Sequence, residues 1–164
     1  MKNLLVVVIL PVALTFLFAD PIDQVPNLQH PQYQIYTAGQ PTPQGIEEIA
    51  AMGIKTVINV LPDNERIPQE AQVVTANNMG YAALPFQTQA FKMETIEQFA
   101  DLLLTSEKPV LIHCSTGNHV GGLWFAYRVL AQKTPLWLAL KEGREIGMKS
   151  DLEERLFDWV VQHS

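Results

Sequence analysis

Hydrophobic and polar positions along this chain follow two alternating periods. Short apolar runs rich in β-branched residues predict buried strands, and between them apolar residues recur at the three-to-four-residue spacing of a helix. The predicted strands are 33–37, 55–60, 81–84 and 109–112. Helical spacing covers 42–52, 70–78, 96–103, 123–130, 136–146 and 150–160. The alternation predicts an α/β fold, with a mostly parallel central sheet of about four to five strands, flanking helices and a helical C-terminal part.

Local signals predict where several of these elements begin and end. Thr42 and Pro43 are typical of a helix N-cap and first turn. The run Ser150 to Glu153 predicts a capping box for the last helix. Because parallel strands place their carboxyl ends at one edge of a sheet, we expect the turns after Thr37, Val60, Leu84 and His113 to lie close together.

The N-terminal segment has the pattern of an export signal. Lys2 precedes an apolar run from Leu4 to Ala19, and polar, proline-containing sequence follows. We therefore predict a signal peptide over 1–19, a linker over 20–32 and one domain over 33–164, in an exported protein that is periplasmic or secreted. A retained N-terminal anchor is the alternative, although about 16 apolar residues fall short of the roughly 20 that span a bilayer comfortably.

Charge and cysteine content exclude several classes of partner. The chain carries 11 Lys and Arg against 17 Asp and Glu, a net charge of −6. This balance argues against nucleic acid, and against a membrane partner beyond an N-terminal anchor. Cys114 is the single cysteine, so no internal disulfide can form.

Cys114 lies in the run His113-Cys-Ser-Thr-Gly-Asn-His-Val-Gly121, between a predicted buried strand and a predicted helix. A loop in this position presents successive backbone N–H groups and the positive end of a helix dipole, which together bind anions. The same field favours the thiolate of Cys114 over its thiol. The sequence therefore predicts an anion site with a reactive cysteine.

His-Cys-x-x-Gly after a hydrophobic strand resembles the signature loop of cysteine-dependent protein phosphatases. Three segments are similar, more narrowly, to bacterial dual-specificity-phosphatase-like domains, which occur alone or fused to NAD kinases or β-lactamase-like hydrolases. The segments are Tyr36 to Thr42, Val57 to Val60 and Gly117-Asn-x-Val-Gly121. The resemblance covers roughly Tyr33 to Ser164.

This resemblance implies hydrolysis of phosphomonoesters, in a phosphoprotein or a small phosphorylated molecule, through a cysteinyl-phosphate on Cys114. It implies no cofactor and no metal. His113 is expected to hold the cysteine loop from behind. Backbone N–H groups of five loop residues are expected to bind the phosphate: Ser115, Thr116, Gly117, Asn118 and His119.

The sequence departs from the family pattern at the arginine that grips phosphate and balances transition-state charge. In relatives that carry Gly-Asn-Arg-Val-Gly, with the shorter spacing between cysteine and arginine, the arginine is at the position of His119. With the longer spacing of eukaryotic phosphatases, the arginine position falls on Val120. A neutral imidazole donates one hydrogen bond where guanidinium offers a planar fork. Loss of such a clamp typically lowers the rate by about 100-fold to 1000-fold.

The general acid also departs from the pattern. The loop 85–92, where related phosphatases carry an aspartate, contains no carboxylate. Asp63, after the second predicted strand, is the candidate acid, with Glu65 behind it. These two departures leave two alternatives open: an inactive phosphate-binding or protein-binding module on the same fold, and rhodanese-like sulfur transfer through Cys114.

Overall fold

The computed structural model of the chain describes residues 24–62, 67–89 and 91–164. Its centre is a five-stranded sheet, which confirms the predicted α/β class. The strands are β1 (Gln29–Gln32), β2 (Ile35–Ala38), β3 (Thr56–Asn59), β4 (Gly80–Ala83) and β5 (Val110–His113). They are arranged in the order β1-β2-β5-β3-β4, in which β2, β5, β3 and β4 are parallel and β1 is antiparallel to β2.

Helices connect the strands and close the described part of the chain. They are α1 (Pro43–Ala51), α2 (Ile67–Ala76), α3 (Met93–Thr105), α4 (Asn118–Leu130), α5 (Leu136–Ile146) and α6 (Ser150–His163). All six correspond to predicted helical segments. The hydroxyl of Thr42 accepts a hydrogen bond from the Gly45 N–H at 3.0 Å, so Thr42 is the predicted N-cap of α1.

The predicted capping box at Ser150 is wrong. Lys149 is the N-cap of α6, Ser150 lies inside the helix, and the cap makes no side-chain hydrogen bond. Glu153 instead accepts a hydrogen bond from Arg144 Nε at 2.7 Å. The charged partner on α5 has replaced the local backbone partner that a capping box requires.

Two apolar cores lie on opposite faces of the sheet, because successive side chains of a strand point to opposite sides. Leu111 and Val57 pack on α1 and α2, where they meet Ile49 and Val74. Residues of the other parity pack on α3 to α6: Ile58, Val110, Ile112, Phe99, Trp124 and Leu152. Cys114 belongs to this second core.

Residues 24–32, the described part of the segment predicted as a linker, pack against the domain. Val25 is 2% exposed and belongs to the core beneath α1. Strand β1 was not predicted, because Gln29–Gln32 is polar and contains Pro31. The predicted signal peptide, 1–19, lies outside the described residues. Within the described ranges, no helix combines the length and the apolar character needed to cross a membrane.

Helices α4 and α5 cross at an unusually short distance. A Cβ atom on Gly121 would lie 2.4 Å from the Gly143 carbonyl oxygen and 2.7 Å from the Met148 nitrogen. Glycine is therefore required at this position of the Gly117-Asn-x-Val-Gly121 segment for helix packing. The close crossing brings the turn between α5 and α6 against the first turn of α4.

Candidate active site

The parallel strands end at one level of the sheet. Ala38 of β2 and Asn59 of β3 are both in register with His113 of β5. The segments that follow these three residues therefore emerge side by side, as the sequence predicts. The Cys114 loop leaves the sheet at the centre of this edge, flanked by β2 and β3.

The loop is short and ends in a glycine that no other residue replaces easily. Gly117 is the N-cap of α4 and has φ +94°, in the left-handed region. A Cβ atom there would lie 2.5 Å from both Asn27 Nδ2 and the Ile146 carbonyl oxygen. Gly117 thus permits both the turn into α4 and the close contact with neighbouring segments.

Hydrogen bonds on the outer side of the loop fix the direction of its peptide planes. The Ser115 carbonyl accepts from the Gln40 N–H at 3.2 Å, and the Thr116 carbonyl accepts from Asn27 Nδ2 at 3.3 Å. In a trans peptide the next N–H points opposite to the carbonyl. The N–H groups of Thr116 and Gly117 consequently point inward, towards the thiol.

The Cys114 sulfur lies at the centre of these inward N–H groups. Gly117 N–H donates to Sγ at 3.2 Å. Burial by itself raises the pKa of the Cys114 thiol, but hydrogen bonds from the His119 side chain and from the N–H groups of Val120, Thr116 and Gly117 outweigh it and lower the pKa. The α4 dipole acts in the same direction. The site therefore favours a thiolate that is completely shielded from solvent.

His119 and Val120 differ sharply in their surroundings. Val120 is fully buried in the core that contains Cys114. His119 is half-buried, with its ring edge-on to Phe86 at a centroid distance of 6.1 Å. Its Nδ1 atom is buried and has no hydrogen bond of regular geometry, while the side chain contacts the thiol. Of the two positions, His119 is the one beside the sulfur.

The remaining predicted site residues are distributed unevenly. Ser115 and Thr116 are exposed on the loop. The Asn118 side chain is engaged in structure, because its Oδ1 accepts from the Lys149 N–H at 2.8 Å. Asp63, the candidate acid, and Glu65 lie outside the described residues. The loop after β4 reaches the site through Phe86, whose ring contacts that of His119. The described residues that follow it, 87–89, carry no carboxyl group.

Sequence reasoning missed a buried polar cluster behind the loop. The Glu70 carboxylate of α2 is 6% exposed and lies 2.8 Å from His113 Nε2. It also accepts from Gln40 Nε2 at 3.0 Å, from Tyr81 Oη at 3.0 Å and from Asn59 Nδ2. A glutamate on the core face of an amphipathic helix was the available signal, since buried carboxylates are rare without partners.

In the described part of the chain, no group of three or more His, Cys, Asp or Glu side chains is arranged to hold a metal ion. The chemistry that this arrangement offers is that of an activated thiolate in a ring of N–H groups. A loop of this kind, at the carboxyl edge of a parallel sheet, defines a cysteine-phosphatase-like domain.

Comparison with known proteins gives the family. The family model of the beta-lactamase hydrolase-like protein, phosphatase-like domain, matches residues 31–131, and the chain belongs to this family. The dual specificity protein phosphatase TpbA of Pseudomonas aeruginosa is 26% identical over 143 residues, which cover 84% of this chain and 62% of TpbA. The beta-lactamase hydrolase-like protein of Agrobacterium fabrum is 31% identical over 86 residues, 49% of this chain and 20% of that protein. The chain thus spans less than two thirds of the length of either relative.

Solved structures agree in fold. The crystal structure of P. aeruginosa TpbA has a TM-score of 0.68 at 21% identity and covers 84% of this chain and 85% of that one. The core catalytic domain of the PP-IP phosphatase SIW14 from S. cerevisiae has a TM-score of 0.69 at 16% identity, with 85% and 87% covered. These likenesses confirm the predicted phosphatase-like α/β fold.

We predict that Cys114 is a thiolate at pH values where an ordinary cysteine, with a pKa near ~8.5, is still protonated. The reason is the set of inward N–H groups and the His119 contact described above. The ultraviolet absorbance of the thiolate, titrated against pH and referenced to Cys114→Ser, measures this without requiring reagent access to the buried sulfur. A midpoint at or above that of a free thiol would contradict the prediction.

Proposed function

We propose that this protein hydrolyses phosphomonoesters through Cys114. The observation that carries the proposal is the position of the sulfur, inside a ring of N–H groups at the N-terminus of α4. Such a ring binds the oxygens of a phosphoryl group and stabilises the charge that develops on them in the transition state. Membership of a phosphatase-like family supports the same chemistry.

The reaction has two displacements at phosphorus. The Cys114 thiolate forms the S–P bond as the P–O bond to the leaving group breaks, and the leaving oxygen takes a proton from a general acid or from water. Water then attacks phosphorus, the S–P bond breaks, and inorganic phosphate and the thiolate are released. Asp63 is our candidate acid, by its place after β3.

We expect the rate to be low. His119 stands beside the sulfur where family members of the shorter spacing have arginine, and one imidazole N–H replaces a bidentate clamp. TpbA, in a crystal structure with 20% sequence identity, has been solved in complex with pTyr. We propose a phosphorylated substrate, protein or small molecule, on this basis.

The absence of a carboxylate from the loop 85–92 favours a second candidate function. A protein that keeps the ring of N–H groups but lacks the arginine that grips phosphate and the general acid binds phosphate without hydrolysing an ester. Binding of inorganic phosphate with no hydrolysis would identify this module. Sulfur transfer through Cys114 has only the cysteine loop in its favour.

The full chain should hydrolyse a generic aryl phosphate slowly, and Cys114→Ser should abolish the activity because an alcohol is not ionised at neutral pH. Release of the aryl alcohol measures the rate. The serine variant changes one atom and leaves the fold intact, so it is the matched control. Equal rates in the two proteins would place the activity elsewhere or in a contaminant.

His119→Arg should raise both phosphate affinity and aryl phosphatase rate, by about tenfold or more, because guanidinium supplies two charge-assisted hydrogen bonds beside the sulfur. Val120→Arg should instead lower stability without a gain in rate, since Val120 is fully buried and its charge would have no partner. Initial rates, inhibition by phosphate and thermal melts of the three proteins test both statements. A His119→Arg protein that is folded and no better than the parent would show that position 119 is not the clamp position.

We also propose that the protein is exported and that residues 1–19 are removed. The support is the charged and apolar pattern of the leader. Intact mass of the protein recovered from its native host should correspond to a chain beginning near Asp20. A mass that includes Met1 to Ala19 would favour the anchor.

A further inference from the structure

Glu70 joins groups from every parallel strand at the edge of the sheet that carries Cys114. Its oxygens contact Gln40 after β2, Asn59 on β3, Tyr81 on β4 and His113 on β5. Burial alone would raise the pKa of Glu70, but its contact with His113 and the hydrogen bonds from Asn59 and Tyr81 outweigh burial and lower the pKa. The carboxylate is therefore ionised at neutral pH, although it is almost completely buried.

The contact with His113 differs from the other three. The His113 ring is fully buried, and its Nε2 atom lies 2.8 Å from Glu70 Oε1. Neither ring nitrogen of His113 has a hydrogen bond of regular linear geometry. The Glu70 carboxylate is therefore the polar side chain that lies against the ring and limits its movement.

His113 and Cys114 are consecutive, so the pleat sends their side chains to opposite faces of the sheet. The His113 side chain lies on the α1 and α2 side with Glu70, and Cys114 faces α4. The His113 carbonyl accepts from the Val60 N–H at 2.9 Å, which anchors the residue to β3. Whatever fixes the His113 ring therefore also fixes the point from which the Cys114 loop leaves the sheet.

We propose that Glu70 is a positioning residue that acts on Cys114 through His113. The carboxylate holds the imidazole in place, and this orders the start of the loop whose N–H groups surround the thiolate. The proposal deepens the proposed function, on which it rests for its biological meaning, but it concerns the thiol itself and is measurable without turnover.

The charged and titratable groups around both residues are few in the described part of the chain. Glu70 faces His113 from β5 and Tyr81 from β4, together with the neutral Asn59 and Gln40. Cys114 faces His119 from the first turn of α4. The phenol of Tyr81 has a raised pKa, because of burial and then the neighbouring Glu70 charge, and so remains a neutral donor.

The test is the thiolate titration of Cys114 in full-length variants. Glu70→Gln removes the charge with almost no change in shape. It should raise the midpoint of the Cys114 titration by about one pH unit, because a less firmly held loop aligns its N–H groups less well with the sulfur. Glu70→Asp keeps the charge but withdraws it from His113 by one methylene, and should give an intermediate rise. Tyr81→Phe removes a hydrogen bond from the same carboxylate and keeps the charge, so it should leave the midpoint nearly unchanged.

Two further controls separate this role from an effect of net charge and from unfolding. Glu47→Gln makes the same change of net charge at an exposed site on α1 and should have no effect. Thermal melts and circular dichroism establish that each variant is folded. If Glu70→Gln does not fold, the comparison of Glu70→Asp with Tyr81→Phe decides the question.

Equal midpoints for Glu70→Gln and the parent would overturn the proposal, as would a fall on loss of the charge. Equal rises in Glu70→Asp and Tyr81→Phe would also overturn it, by showing that any disturbance of the cluster acts alike. The proposed hydrolysis fails on a different result: a parent protein with a low thiolate midpoint, shifted by Glu70→Gln, and no turnover. The two failures are therefore distinguishable.

Discussion

One buried carboxylate, that of Glu70, determines how the carboxyl edge of the sheet is assembled. A charge in this position is tolerated only when it is paired and hydrogen-bonded, and removal of one partner of a buried pair costs on the order of 3–5 kcal/mol. The four partners come from four separate segments of the chain, each of which precedes or belongs to the edge where the cysteine loop emerges. The requirement to satisfy one side chain thus holds together segments that are distant in sequence, and it leaves the loop a fixed base.

The segment Gly117 to Gly121 illustrates how folding and chemistry are separable in a short motif. Gly117 makes the turn, Asn118 accepts from the backbone of Lys149, Val120 fills the core and Gly121 permits the crossing of α4 and α5. None of these four roles requires a cation. Replacement of the family arginine therefore leaves the architecture of the loop in place while it removes the group that binds two phosphate oxygens at once.

The strands rich in β-branched residues, such as β3 and β5, were predictable because burial on both faces leaves a clear apolar signal in the sequence. The same is true of Thr42 and of Cys114 at a strand end, whose patterns are local. Strand β1 was not predictable, since its polar residues pair at a sheet edge and bury little. The roles of Glu70 and Asn27 were not predictable for another reason. Glu70 contacts His113, 43 residues further along the chain, and Asn27 contacts Thr116, 89 residues further along. No local sequence pattern indicates contacts over such separations. At Ser150 the sequence pattern of a capping box was present, but Glu153 pairs with Arg144 of the preceding helix and not with the backbone at the start of α6.

Asn27 has a consequence for where this domain begins. Its side-chain amide donates to the Thr116 carbonyl and, at 2.6 Å, to the Ile146 carbonyl. A residue outside the segment matched by the family model, 31–131, is therefore hydrogen-bonded to both the cysteine loop and the end of α5. Val25 fills the core two residues earlier, and α5 and α6 lie wholly beyond residue 131. The segment that the family model matches is therefore shorter than the segment that packs together in the structure. A shortened protein that comprised residues 31–131 alone would present the same cysteine on a loop without the contacts that Asn27 and Ile146 make behind it.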